Sequence, residues 1–234
     1  MSGRTVDDAA RDEVARMLRS WEYNASAWTD AVRGERIASR RAGTDAAIVD
    51  AVMRSSPGNV LDVGCGEGWL ARALASRGVR VVGVDASEAL IESARALGGG
   101  TFEAMTYDVL ATRGGSLGAP FDVAVCNFSL LEEHQASLLR TLRDSLAAGG
   151  RLVIQTVHPW IAKGDAPYVD GWRTETFAGF GDGFAEPMPW YFRTMAAWVA
   201  LVGASGFRIA RIDEPVDAAS GRPLSLVIDA VAER

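Results

Sequence analysis

Between Asn59 and Val157, short apolar runs alternate with segments of helical periodicity. The order is NVLDV, WLARALASR, VRVVGVD, EALIESARAL and TFEAM, then FDVAVCNF and RLVIQTV around a helical stretch near Glu132 to Leu146. A strand that is apolar throughout must be buried on both faces, and a helix after each strand supplies the cover. The rhythm predicts an α/β fold built on a doubly wound, mostly parallel sheet. Ahead of it, Val14, Met17, Leu18 and Trp21 stand at i, i+3, i+4 and i+7, an amphipathic helix that packs one stripe onto a body. A second helix is expected from Ala42 to Met53, entered at Thr44-Asp45 and stopped by Ser55-Ser56-Pro57-Gly58. The 234 residues contain no linker or low-complexity block, so a single domain is expected over 1–234. It divides into a helical cover (1–56), a core (57–157), an insertion (158–193) and a closing helix with strands (194–234).

The insertion breaks the rhythm. It holds nine of the chain's 19 aromatic residues, among them Trp160, Trp172, Phe177, Phe180 and Trp190, and its Gly and Pro content argues against regular structure. It reads either as a loop with its own small core or as a lid over an apolar or aromatic molecule. As a lid, HPW (158–160), GWR (171–173) and PWYFR (189–193) form the walls of one cavity. A helix capped by Thr194 follows, then strands through Phe207-Arg208-Ile209 and Leu224 to Val231.

A formal net charge of -6 supplies no footprint for a phosphate backbone, which disfavours nucleic acid as a partner. Two cysteines give no disulfide framework, and two distant histidines give no zinc pattern. With no run of about 18 apolar residues and no apolar leader after Met1, a cytoplasmic protein without a membrane partner is expected.

Within the core, VLDVGCGEGWL places glycine at every second position of a strand-to-helix turn: Gly64, Gly66 and Gly68. In open α/β sheets such a turn brings backbone N–H groups and a helix N-terminus to a ligand beyond the strand ends. Asp85 ends the next strand 21 residues after Gly64, where an acid accepts hydrogen bonds from ribose hydroxyls. A dinucleotide favours the spacing G-x-G-x-x-G and a turn free of acids. Here the spacing is G-x-G-x-G, with Asp62 before it and Glu67 within it. Those carboxylates repel a pyrophosphate and attract an ammonium or sulfonium group.

VLDVGCGEG, with VVGVDAS and AAGGRLVIQTV, resembles the class I, Rossmann-like S-adenosylmethionine-dependent methyltransferases over about Asn59 to Val157. Within them it is similar to the small-molecule branch that includes methyltransferase types 11 and 12 and ubiquinone-biosynthesis-like enzymes. The resemblance implies seven strands with the last antiparallel, and S-adenosylmethionine as cofactor. It also implies that Gly64, Cys65, Gly66 and Gly68 surround the methionine and ribose part, with Asp62 near the amino group. Asp85 would hold the ribose and Ala86 line the adenine, with Met105, Thr106 and Tyr107 also against adenine. Thr106-Tyr107 departs from the acid common at that position. Asn127 and Phe128 would separate the methionine part from the acceptor, and Arg40 would pair with the cofactor carboxylate.

Methyl transfer needs alignment above all, plus removal of a proton from some acceptors. His158, at the end of the fifth strand, is the candidate base, with a structural histidine before Pro159 as the other reading. Glu132 and Glu133 read as favourably placed in a first helical turn. The function expected is methyl transfer to an oxygen or nitrogen of a small, aromatic or apolar molecule. The alternatives are a tRNA wobble-base modifier, an idle cofactor-binding scaffold, and a non-methyl reaction on the same scaffold. CNFS after the fourth strand argues against a nucleobase amino-methyltransferase.

Overall fold

A computed structural model describes residues 6–113, 117, 118 and 120–233; residues 1–5 of the expected cover lie outside the described residues. The strands are β1 (Asn59–Val63), β2 (Arg80–Asp85), β3 (Thr101–Ala104), β4 (Phe121–Asn127) and β5 (Leu146–Val157), then β6 (Gly171–Glu175), β7 (Met188–Phe192), β8 (Phe207–Asp213) and β9 (Ser225–Ala232). The helices are α1 (Val6–Tyr23), α2 (Ala25–Arg33), α3 (Asp45–Met53), α4 (Trp69–Ala75), α5 (Glu88–Leu97), α6 (Tyr107–Arg113), α7 (Ala136–Ser145), α8 (Pro159–Ala162) and α9 (Met195–Ala204). None of the described helices is long and apolar enough to cross a membrane.

Seven strands form one sheet in the order β3-β2-β1-β4-β5-β9-β8. The first five are mutually parallel, and β9 runs antiparallel between β5 and β8. The order reverses between β1 and β4, so the C-terminal ends of those strands open a crevice where α/β sheets bind ligands. Alternation along each strand feeds two cores. Leu61, Val63, Ala124, Cys126, Leu152 and Ile154 face Leu139, Leu142, Trp198 and Val202 on one side. Val60, Val123, Val125 and Val153 face Ile48, Val52, Leu70, Leu74 and Ile91 on the other. Each fully buried aliphatic side chain contributes about 1.5–3 kcal/mol, which favours the doubly covered sheet over any open one.

Two expectations need correction. The helix expected from Ala42 to Met53 is α3 and starts at Asp45, at the expected Thr44-Asp45 entry, because Gly43 (φ 144°) kinks the chain within the π-helical turn over Arg40–Thr44. The α1 stripe packs onto a body as expected, and that body is the insertion: Met17 is buried with Phe177 and Met188, with Val14, Leu18 and Trp21 packed against them. The insertion itself holds regular structure, an antiparallel hairpin with Gly171 opposite Phe192 and Glu175 opposite Met188. Pro189 is tolerated there because a two-stranded ribbon leaves half of each strand's amides without a ladder partner. As expected, the Thr194 hydroxyl accepts the Ala197 amide and opens α9.

Candidate active site

The turn between β1 and α4 holds Gly64, Gly66 and Gly68 at φ of 75°, 55° and 81°, a left-handed conformation that costs glycine little. The amides of Gly64 and Cys65 both donate to the Val84 carbonyl, at 2.8 and 3.0 Å, which ties the turn to the end of β2. A Cβ on Gly64 would stand 2.3 Å from the Ser129 Cβ, so the close approach of the loop after β4 requires glycine there.

A cavity of about 240 Å³ lies over this turn. At one end its wall is Asp62, Gly64, Cys65, Gly66, Asp85 and Ala86, with Tyr107 from α6 and Asn127 and Phe128 from the end of β4. Phe128 is at φ 54°, a conformation uncommon outside glycine. Asp85 accepts the Gly66 amide on Oδ2 (2.8 Å) and the Ser87 amide on Oδ1 (2.9 Å). Burial raises its pKa in spite of these bonds. Asp62 is 1% exposed, and neither of its oxygens has a hydrogen-bond partner among the described residues. Burial, reinforced by the Asp85 charge, pushes its pKa up to about 7. An orphaned buried carboxylate is costly unless a donor reaches it, and the ammonium group of S-adenosylmethionine is such a donor. Asn127 Oδ1 is a second unpartnered acceptor in the same wall. The cofactor implied by the sequence therefore fits the groups present.

Arg40 also lines the cavity. Its Nε contacts both Asp45 oxygens, at 3.0 and 3.1 Å, and its guanidinium lies 4.3 Å from the centroid of the Trp69 ring. Neither terminal nitrogen of Arg40 has a hydrogen-bond partner among the described residues.

Other residues singled out in the sequence stand elsewhere. Gly68 is behind the wall, where a Cβ would meet Ala94 and Phe102 at 3.0–3.1 Å; it serves helix packing. Met105 is buried in the core, and the Thr106 hydroxyl accepts the Val109 amide inside α6; neither lines the cavity. Tyr107 does, donating its hydroxyl to the Ser129 carbonyl at 2.7 Å. Burial holds the Cys65 thiol well above its ordinary range, so its contribution is shape. Glu67 is fully buried away from the cavity, bonded to Arg33 (3.0 Å) and Arg72 (2.7 Å), so its charge is matched within the protein.

His158 requires the largest correction. It is buried outside the cavity wall, with Nε2 2.7 Å from Glu214 Oε1 and Nδ1 accepting the Trp160 amide at 3.3 Å. Nδ1 caps α8 and Nε2 is engaged by Glu214, which supports the structural reading and leaves the base role without geometric support.

The other end of the cavity is apolar. Met17, Leu18 and Trp21 of α1, Trp28 of α2, and Phe177, Phe180, Met188 and Trp190 of the insertion enclose it. Trp21, Trp28, Phe180 and Phe177 form a circuit of ring contacts at 5.1–6.1 Å between centroids. Of the three stretches expected as walls, only PWYFR supplies a lining ring, Trp190; Trp160 is largely exposed. The α1 stripe was legible as a packing face, but nothing in its spacing showed that it shares a cavity with the glycine turn. Glu132 also lines this end, and it precedes α7 in a loop rather than opening a helix.

The family model for a methyltransferase domain matches residues 35–209. A ubiquinone biosynthesis O-methyltransferase of Xylella fastidiosa (strain 9a5c) is 34% identical over 111 residues, covering 46% of this chain and 45% of that protein. The chain thus spans less than half the length of that curated relative. A solved S-adenosylmethionine-dependent methyltransferase of Mesorhizobium loti is 28% identical, with a TM-score of 0.58, covering 81% of this chain and all of that one. The 1,6-didemethyltoxoflavin-N1-methyltransferase of Burkholderia thailandensis, solved with its substrate and S-adenosylhomocysteine, has a TM-score of 0.66. It covers 100% of this chain and 94% of its own; at 21% identity the likeness is one of fold. With the seven-stranded order, the glycine turn and a family match over most of its length, this chain belongs to the methyltransferase domain family, of the class I, S-adenosylmethionine-dependent kind.

Proposed function

We propose that the chain binds S-adenosylmethionine at the polar end of the cavity and methylates an oxygen or nitrogen of a small, apolar or aromatic molecule at the other. The observation that carries this reading is the continuity of the two ends. The Asp62 and Asp85 carboxylates and the rings of α1, α2 and the insertion line one cavity. Asp62 would accept the cofactor's ammonium, Asp85 the ribose hydroxyls, and the Arg40 terminal nitrogens its carboxylate. When bound, S-adenosylmethionine supplies a methyl group on a sulfonium, with a neutral thioether as leaving group.

The chain's own contribution is alignment and exclusion of water. The glycine turn and Asn127 fix one reactant, and the aromatic wall fixes the other, converting an encounter into an oriented pair. A mostly apolar pocket with a few placed polar groups suits a small molecule. Calorimetry tests the first half: S-adenosylhomocysteine should bind in a one-to-one ratio. A screen of small acceptors reading S-adenosylhomocysteine release tests the second. Absence of cofactor binding overturns the proposal.

A further inference from the structure

The acceptor end of the cavity has one charged group with no match. Glu132 lines the cavity next to Leu131, whose side chain packs with Phe177, Met188 and Trp190, and its carboxylate has no hydrogen-bond or ion-pair partner among the described residues. The nearest cation, Arg193, is otherwise engaged. Its guanidinium donates to the backbone carbonyls of Leu130, Glu132 and Glu133 and lies 5.0 Å from the ring centroids of Tyr191 and Trp198. Elsewhere in the wall the other carboxylates are Asp45, Asp62, Asp85 and Glu175, against a single cation, Arg40, which faces Asp45 at 3.0 Å. An anionic acceptor would enter a field of its own sign, and a neutral one would leave Glu132 unmatched.

Resting on the function proposed above, we infer that the acceptor is an amine carried on an apolar or aromatic body, bound as its ammonium ion with Glu132 as counter-ion. The rings of Trp21, Trp28, Phe177, Phe180 and Trp190 supply apolar contact for the body and π faces that favour a cation. Charge on Glu132 is disfavoured until that cation arrives. Burial, with the Asp108 carboxylate adding to it and Arg193 opposing, pushes its pKa up to about 7. Before methylation the ammonium must lose a proton; Glu132 accepts it, frees the nitrogen lone pair, and later releases the proton to solvent.

The test uses the full chain saturated with S-adenosylhomocysteine, after that ligand's own binding has been measured. Two probe series are titrated: phenethylamine, phenethyl alcohol and phenylacetate, then tryptamine, tryptophol and indoleacetate. In at least one series the amine should bind ten-fold or more tighter than its alcohol and acid. Glu132→Gln should abolish that preference while retaining S-adenosylhomocysteine affinity, which also reports that the variant is folded. In buffers of different ionisation enthalpy at pH 7, wild-type binding of the amine should release about half a proton, and the variant none. Equal or tighter binding of the acid or alcohol in both series, no amine binding at millimolar concentration, or a preference surviving in Glu132→Gln overturns the inference. Loss of S-adenosylhomocysteine binding in the wild type overturns the cofactor assignment instead, and the amine preference is then read without it.

Discussion

Asp85 Oδ2 accepts the Gly66 amide at 2.8 Å, so the acid that ends β2 holds the glycine turn that ends β1. One carboxylate thereby shapes the turn and lines the cavity proposed to hold the cofactor. Asp85→Ala removes both functions, and a hydrogen bond to a charged group contributes about 1.5–3 kcal/mol. S-adenosylhomocysteine affinity should fall by roughly 10- to 150-fold in calorimetry, with a smaller loss for Asp85→Asn, which keeps one acceptor. Unchanged affinity in Asp85→Ala would falsify this role.

The buried Asp62 carboxyl makes the free protein sensitive to pH. Its folded pKa of about 7 lies above the ordinary value of 3.8, so the native state binds the proton more tightly than the unfolded chain. Its stabilising contribution is complete below about pH 4 and is lost as pH rises towards 7, with a limiting slope of about 1.4 kcal/mol per pH unit. Glu132, also raised to about 7, adds to the same trend. Urea unfolding at pH 5 and pH 8 should show the free protein weaker at pH 8. Asp62→Asn should reduce the difference, and S-adenosylhomocysteine affinity should rise over the same interval in the wild type only.

The parallel sheet was legible because its strands are continuous apolar runs, a pattern set by local burial on both faces. The hairpin of β6 and β7 was not, since its strands pair only with each other and carry Gly171 and Pro189 at positions that read as breaks. Asp62, Asp85, Gly64 and Gly66 were legible through spacing as residues at the turn, and they line the cavity; Gly68, in the same pattern, does not. Glu67 misled because its partner Arg33 lies 34 residues away and Arg72 a helical turn beyond, and sequence proximity to the turn says nothing about the direction of a side chain. Glu132 was read as a helix-opening acid because the start of α7 was placed four residues early.

Glu67 is matched by arginines, and its role is therefore structural. Removing one partner of a buried ion pair costs about 3–5 kcal/mol, because the remaining charge stays out of water. Arg72→Met should lower unfolding stability by about 3 kcal/mol in urea titrations. Arg33, with a more exposed side chain, should matter less. S-adenosylhomocysteine affinity should change far less than in Asp62→Asn; the opposite order would place Glu67 in the binding site.

His158 is bonded through both ring nitrogens outside the cavity. His158→Ala should leave S-adenosylhomocysteine affinity and the pH profile of methyl transfer unchanged while lowering the thermal unfolding midpoint, because α8 loses its cap. A turnover loss of a hundred-fold or more without a change in stability would restore the histidine to the mechanism.

The insertion is fastened to the N-terminal helices by a small polar contact. Asn24, buried between α1 and α2, donates through Nδ2 to the Glu186 carbonyl at 2.7 Å and accepts the Ala185 amide through Oδ1 at 3.1 Å. Ser20 donates to the same Glu186 carbonyl at 2.9 Å. These bonds fasten the segment before β7, which carries Phe184 and leads into Met188 and Trp190, to the helices that carry Trp21 and Trp28. Asn24→Ala removes the bonds to Ala185 and Glu186 and leaves the Ser20 bond alone to hold the segment, a loss of about 0.5–1.5 kcal/mol per hydrogen bond that falls on local closure. Amide exchange should therefore accelerate over residues 176–187 and stay unchanged in β1, β4 and β5. The acceptor's KM should rise several-fold while S-adenosylhomocysteine affinity, set at the other end of the cavity, moves less. Uniform acceleration across the sheet would instead show that Asn24 supports the whole fold.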